Sequence, residues 1–507
     1  MYKKLKILSR KSELAKIQAN LVGNAIKEIY KHTSIEFHTS ESTADLDQTI
    51  KISSSDQIGL FTKDISQKLI NDDFDIAVHS WKDVPIKPTM ETSVVCTLER
   101  GDMRDIIIFK KGILAREMGS LEILTSSPRR QYNLSKVLPG LIPLKVNKLS
   151  FKEIRGNIET RLKKFDEGNS HAIIIAKVAL DRILEYGRFD TKKRIKDIIQ
   201  KNKWLVLPIS LFPTAPGQGA IGIEVKKNRN NLIKFLNKIN FKKNYQNVLE
   251  EKKIMSQYGG GCQQKIGVSI WEKHGEQITS LSGKTEQGKI LNQYSLLKHI
   301  KLDAKELKDK NIYPIKGTDE NIFERQLIDN TKKIKGIKKS LIYLSRKNVL
   351  ENSKNIHKSN IIWTSGISCW KTAVKKGVWV NGSSDSLGES EPLNISNLIS
   401  SSTNHFKLSH SKASSLNFKL IPTYHLVLKK DVIKKIDIKN IDRFYWMSSF
   451  QFDEFLKFYP GIISKKHSCG LGNTFNHIAK IIPKNNKIIP YLSYKNWLKN
   501  NLKEKIR

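Results

Sequence analysis

Short apolar runs of strand length, alternating with segments of helical period, constrain this chain more than any other feature. Asp105–Phe109 (DIIIF) and Ala172–Ala176 (AIIIA) are among the longest apolar runs, and both are of strand length. KLKILSR reads as a strand and runs into a helix whose apolar positions Leu14, Ile17, Leu21, Val22, Ala25 and Ile29 keep the 3.6-residue period. Ile35–Thr39 reads as a strand, Leu60–Asn71 as a helix and Asp75–Val78 as a strand. The alternation continues through Glu122–Thr125, a helix from Pro128, a helix around Asn157–Phe165 and the strand Ala172–Ile175. It predicts α/β layers with largely parallel sheets.

From Gly267 the pattern changes to extended runs broken by glycine turns (IGVSIWE, QITSLSG, ILNQYSLL), which predicts hairpins. A Lys-, Asp- and Asn-rich stretch at about 303–338 reads as a connector, and strands and helices resume at Ser340–Leu344. With 507 residues, the chain is expected to hold three or four domains at about 150 residues each. Its apolar runs fall well short of the about 18 residues that cross a bilayer. The N-terminus lacks the apolar stretch of a cleaved signal. Cys96, Cys262, Cys369 and Cys469 are far apart with no CxxC pair. That argues against a zinc site or disulfide framework and for a reducing cytoplasm.

The formal net charge is +40, but the lysines behind it are diffuse and read as compositional drift. No basic helix is interleaved with aromatics, as nucleic-acid binding would call for. The arginines are more informative. Only 16 of the 89 basic residues are Arg, and half of these fall in a few short motifs: Arg10, Arg100, Arg104, Arg129, Arg130, Arg155, Arg161 and Arg182. Local Arg in a chain that otherwise uses Lys suggests bidentate grip on carboxylates, so a polycarboxylate ligand is expected.

Four segments carry candidate chemistry. In IAVHSWKDVP a strand ends in Lys82 and Asp83, where ligands bind in α/β folds; taken alone, such a pair is normally a solvated turn. In LTSSPRRQ, Ser126, Ser127, Arg129 and Arg130 enter a helix, which makes either an anion site or a capped helix with surface arginines. EIRGNIETRL sets Arg155 and Arg161 around Asn157. YGGGCQQKIG places Cys262 on a three-glycine loop after a helix. A free Cys usually packs as a small hydrophobe, whereas a glycine loop can present the thiol for attachment.

In their order and spacing, SRKSELA, GLFTK, DIAVHSWKDVP, LERGDMRD, TSSPRRQ, RGNIETRL, PTAPGQGAIGIE and GGGCQQKIG resemble the porphobilinogen deaminase (hydroxymethylbilane synthase) family, from about residue 6 to 315. The resemblance implies two periplasmic-binding-protein-like α/β domains, at 1–102 with 203–226 and at 103–202. It also implies a small α+β domain at 227–315 carrying the cysteine, and a monomer. Cys262 would hold a covalent dipyrromethane cofactor built from the substrate, porphobilinogen. Four condensations and a hydrolysis would then release hydroxymethylbilane. Asp83 would be the catalytic carboxylate assisting ammonia loss, with Lys82 beside it. Ser127, Arg129, Arg130 and Asp102 would bind the cofactor. Arg10, Ser12, Arg155, Asn157, Arg161, Arg182 and Gln218 would bind substrate acetates and propionates. No metal, nucleotide, nucleic acid or membrane is implied. The sequence departs from the family at Ile58 and Lys252, where basic cofactor-binding and Arg residues are usual, and at Ala44, which replaces a Gly.

After a linker at 316–337, residues 338–507 are expected to form a further α/β domain. NIIWTSGISCWKTAVKKGVWVNGSSDSLGE, FYWMSSFQFDEFL and SCGLGNTFNHIAK resemble uroporphyrinogen-III synthase, which closes hydroxymethylbilane into a ring. Ser365, Ser449 and Thr474 are its candidate contacts, with helix capping as the plain alternative. Two readings from other classes compete: a solute-binding module, against which the cysteine loop counts, and a nucleic-acid-binding protein, which would need its charge on one face.

Overall fold

In the computed structural model, which describes residues 2–40, 63–86, 89–113, 118–259, 264–297, 311–314, 322–415, 417–483 and 488–501, two five-stranded sheets organise the N-terminal half. In the first, Lys4–Arg10 lies parallel to Ser34–Ser40 and to Ile76–Ser80. Ile221–Lys226 then runs antiparallel to Ile76–Ser80 and Thr92–Cys96. The second repeats the plan: Met118–Leu124 is parallel to Val146–Lys152 and Ala172–Ala176. Asp105–Phe109 runs antiparallel to Ala172–Ala176 and Lys203–Val206. The sheets are therefore mixed rather than largely parallel. The chain crosses between lobes, and the strand entering each sheet from the other lobe, 105–109 or 221–226, runs against its neighbour.

The strand and helix positions follow from local chemistry. Every residue of Asp105–Phe109 and of Ala172–Ala176 is buried, as expected for central strands covered on both faces. Helix Glu13–Ile29 starts where the Ser12 hydroxyl accepts from Ala15 N at 3.3 Å, and it buries Ile17, Val22 and Ile26. The observed strand Met118–Leu124 begins earlier than the expected Glu122–Thr125. The part of the expected helix Leu60–Asn71 that lies within the described residues is Lys63–Ile70.

Three antiparallel strands, Gly267–Lys273, Glu276–Lys284 and Ile290–Leu296, form the predicted hairpins, beside helix Lys242–Ser256. The C-terminal half contains two sheets rather than one domain's worth. One has six strands and the other four.

Three expected boundaries shift. Lys203–Val206 pairs in the second sheet and not the first. Helix Asn230–Leu236 buries Leu232, Phe235 and Leu236 in the core of the first lobe rather than in the third domain. Ile312–Tyr313 pairs with Arg443–Trp446, and Phe323–Leu327 with Lys419–Leu428. Segments expected to be domain edge and linker thus belong to the C-terminal half. Phe323–Leu327 (FERQL) is polar and largely exposed, which concealed its strand character.

The two halves share a core. Ile107, Phe109, Leu121 and Ile123 of the second lobe cluster with Ile342, Trp370, Trp379 and Leu408 of the C-terminal half. Among the described residues, no helix is long and apolar enough to cross a membrane.

Candidate active site

Strand Ile76–Ser80 ends in a single turn, Trp81–Asp83. Trp81 is 2% exposed and clusters with Ala220 and Val248, while its amide donates to Ala220 O at 3.0 Å. This anchor leaves Lys82 and Asp83 half-buried at the strand end. Gly217 takes φ +76° directly behind it, and a Cβ there would lie 3.2 Å from Lys82 N, so the approach needs glycine. Lys82 Nζ donates to Gln218 Oε1 at 3.4 Å. Burial pushes the Lys82 ammonium below its usual value; Asp83 and Asp105 oppose this, and Arg130 and Arg129 add to it. Asp83 makes no hydrogen bond or ion pair to another described residue.

Across the cleft, Ser127 caps helix Pro128–Val137 by accepting from Arg130 N, and the first helical turn carries Arg129 and Arg130. Both guanidiniums converge on Asp105. Arg129 donates to its Oδ2 and Arg130 to its Oδ1, each at 2.7 Å, and Gln218 Nε2 donates to Oδ1 at 3.0 Å. Burial pushes the Asp105 carboxyl up, but Arg130 and Arg129 outweigh it and hold the group well below the usual range. The pair of cations is thereby half neutralised, leaving one net positive charge. Arg130 Nε remains buried without a partner among the described residues, a donor still to be satisfied. Sequence reading took Asp105 only as the start of a strand. An acid opening an otherwise aliphatic strand was the available signal.

Arg161 completes this face. Burial lowers it to about 10, Arg130 and Arg10 act in the same direction, and Asp83 opposes them. Arg10, Asp83 and Arg130 are therefore all electrostatic neighbours of Arg161. Arg161 Nε also donates to Gly156 O at 2.7 Å. Asn157 caps helix Ile158–Glu167 by accepting from Thr160 N at 2.8 Å, and Arg155 is half-buried just before it. Arg182 is 8% exposed and donates to Gly219 O at 2.8 Å; burial lowers it to about 10. Ser12, Ser127 and Asn157 all spend their side-chain oxygen on helix capping.

Asp102 is paired with cations of the second lobe. Arg104 donates to both its oxygens, and Lys177 lies 3.4 Å away. Burial would raise this carboxyl, but Arg104 and Lys177 hold it at about 2. Arg104 in turn donates to Leu393 O, which sets this network against the C-terminal half. Lys252, in place of the usual Arg, donates to Val84 O at 2.7 Å just behind the Lys82–Asp83 turn. A second unforeseen pair, Arg100 with Glu251, ties the lobe crossover to the third domain: Glu251 also accepts from Gly217 N and Ile270 N.

Cys262, Ile58 and Ala44 lie outside the described residues. The other three cysteines, Cys96, Cys369 and Cys469, are buried free thiols, each pushed up by burial to about 12. Such thiols are unreactive, because the thiolate is the nucleophile. In the C-terminal half, Ser365 precedes Gly366, the N-cap of helix Ile367–Lys375. Thr474 lies in the first turn of Asn473–Ile481. Ser449 opens helix Ser449–Phe458, but the capping hydroxyl is that of Ser448, accepting from Gln451 N at 3.2 Å. All three sites follow the C-terminal ends of parallel strands. No group of three or more His, Cys, Asp or Glu suited to a metal occurs among the described residues.

Asp105→Asn is expected to lower unfolding free energy by about 3–5 kcal/mol at pH 7, since it strands two buried guanidiniums. The wild-type carboxyl is depressed in the fold, so its stabilisation is present above the unfolded value near ~4 and fades as pH falls below it. Urea titrations from pH 7 down to pH 3 check this: the gap between variant and wild type should narrow with acid. A constant gap would remove the ion-pair explanation.

Residues 5–234 match the family model described as "Porphobilinogen deaminase, dipyromethane cofactor binding domain". A porphobilinogen deaminase of Nostoc sp. is 31% identical over 278 residues, 54% of this chain and 79% of that protein. One from Clostridium novyi is 29% identical, covering 57% and 91% respectively. A probable porphobilinogen deaminase of Thermoplasma volcanium is 29% identical, covering 64% and 91%. Solved structures such as the methionine-binding protein MetQ (13% identity, 50% of this chain, 94% of that one, TM-score 0.28) are too distant to add to the topology. Sequence motifs in register, two crossover-linked lobes and shared coverage of most of the relatives' length lead to one conclusion: this chain belongs to the porphobilinogen deaminase family.

Proposed function

We propose that the chain condenses porphobilinogen in the cleft between its first two lobes, with Asp83 as the catalytic carboxylate and Cys262 as the attachment point of the dipyrromethane. The observation that carries this reading is Asp83 acting electrostatically on both Arg161 and Lys82, with no ion pair of its own among the described residues. The cleft suits a polycarboxylate cofactor: Arg130 Nε is buried and unpartnered, and guanidinium forks match carboxylates. Arg129 and Arg130, presented at a helix N-terminus and held by Asp105, would grip its acid side chains, with Ser127 close by. When bound, the dipyrromethane supplies the pyrrole end onto which the first porphobilinogen condenses.

The remaining work falls to the chain itself. Arg10, Arg155, Arg161 and Arg182 orient substrate acetates and propionates, with Ser12, Asn157 and Gln218 in support. Asp83 faces the pyrrole N–H and the positive charge that develops as the aminomethyl group leaves as ammonia, stabilising it in a partly dehydrated cleft. Lys82, its ammonium weakened by burial, can pass a proton to the departing nitrogen. The test is to supply porphobilinogen to the purified chain and measure ammonia and linear tetrapyrrole together. Absence of both from protein carrying the adduct would overturn the reading.

We also infer a second activity, ring closure of hydroxymethylbilane by the C-terminal half. What favours it is a pair of largely parallel sheets whose strand ends carry Ser365, Ser449 and Thr474, with Arg346 donating across to Met447 O at 2.9 Å. Nearby His410 has a buried Nδ1 without a partner among the described residues, and burial, with Arg346 and Lys407, lowers the ring to about 4. A neutral imidazole of this kind can accept a hydrogen bond. Full-length protein fed porphobilinogen should yield mainly the type III isomer after oxidation. Isomer I at a normal deamination rate would leave the chain a deaminase alone.

A further inference from the structure

The loop between strand Gly382–Ser383 and residue 394 touches the second lobe and the third domain at once. Asp385, 8% exposed, accepts from Ile209 N at 2.9 Å and from the Ser210 hydroxyl at 2.5 Å, both on the crossover that leaves the second lobe. Its own carbonyl accepts from the Tyr294 hydroxyl at 3.4 Å, on the last strand of the third domain. Further along, Glu391 pairs with Lys273 of the third domain at 2.7 Å. Leu393 O and Asn394 O accept from Arg104 and Lys177 of the second lobe. Leu387, with Leu471, packs on Ile278 and Leu296 of the third domain. Just upstream, Asn381 O accepts from Val206 N at 2.7 Å, and Trp379 and Asn381 both donate to Trp204 O. This extends the pairing of the second sheet's edge strand into the C-terminal half.

Asp385 and Ser386 take φ +48° and +66°, a region that side-chain-bearing residues avoid and that surrounding contacts must enforce. Burial raises the Asp385 carboxyl, and the Ser210 hydroxyl, Arg104 and the amides of Ile209 and Ser210 oppose this. The strained turn and the buried acid point to a built contact.

We propose that residues 381–394 form a clasp through which the C-terminal half holds the second lobe and the third domain at a set separation. The C-terminal half then acts on the deaminase core whether or not it closes the ring. The functional weight of the proposal rests on the proposed function, in which the third domain carries the attachment cysteine and the second lobe forms one wall of the condensation cleft; the clasp itself does not.

The test is peptide-level hydrogen exchange on the full-length protein carrying its adduct, wild type against Asp385→Ala. Exchange should rise about tenfold or more both in Lys203–Val206 and in Ile290–Leu296, with Lys4–Arg10 unchanged, as local opening of one joint predicts. A rise confined to 383–394 would overturn the clasp. If Asp385→Ala loosens Lys4–Arg10 as well, Ser210→Ala decides: it removes one hydroxyl donor and should give a smaller rise in the same two strands, and no change there overturns the proposal. Deamination assayed alongside separates the outcomes: a clasp variant without activity still reports on the joint, and loss of activity with an intact joint counts only against the family reading.

Discussion

Asp83→Asn is expected to lower kcat by about 10²–10⁴-fold while KM and thermal midpoint change little, the cost of losing a positioned acid–base and electrostatic group. The amide keeps the shape of the carboxyl, and Trp81, 2% exposed behind the turn, still anchors the backbone. What disappears is the negative charge in a cleft otherwise lined by Arg10, Arg130 and Arg161. With Asp105 committed to Arg129 and Arg130, no second carboxylate described here is placed to substitute. A positioning role would appear instead as raised KM with kcat retained. Steady-state kinetics and a melting curve on adduct-bearing protein distinguish these outcomes, and a variant keeping more than half of wild-type kcat would remove Asp83 from the mechanism.

Cys262→Ser should give folded protein that lacks the dipyrromethane mass increment, gives no Ehrlich colour and deaminates only at background rate. Cys96, Cys369 and Cys469 are buried and held near 12, so none offers a thiolate at neutral pH. Serine is a far weaker nucleophile than cysteine and should not form the thioether's equivalent. Intact-mass measurement of wild type and variant decides the assignment: an adduct surviving in Cys262→Ser would move the attachment to another side chain.

The residues that meet in the cleft were largely legible because their motifs are local. A strand end followed by a one-turn helix delivers Lys82 and Asp83, and a capped helix delivers Arg129 and Arg130 within its first turn. Both geometries span only a few residues, so short-range rules apply. Asp105 was invisible as a partner because it lies 24 residues from Arg129, and no periodicity links a strand's first residue to a helix on another edge. The partners of Asp102 were hidden for the same reason. Its motif neighbours suggested the cofactor, and only the fold shows that Arg104 and Lys177, which pair with its carboxylate, also donate to Leu393 O and Asn394 O of the C-terminal half.

The α/β class, the order of the motifs and the family are written in runs of five to ten residues, whose burial and capping are local properties. Where the lobes end and what the C-terminal half rests on are matters of long-range pairing, visible in the fold alone. Lys203–Val206 joins the second sheet, and Ile312–Tyr313 and Phe323–Leu327 join the C-terminal half, because a short strand is assigned by the edge that satisfies its amides and carbonyls. That choice depends on residues up to two hundred positions away, as Asp385 reaching back to Ser210 illustrates, and the composition of the segment itself carries no trace of it.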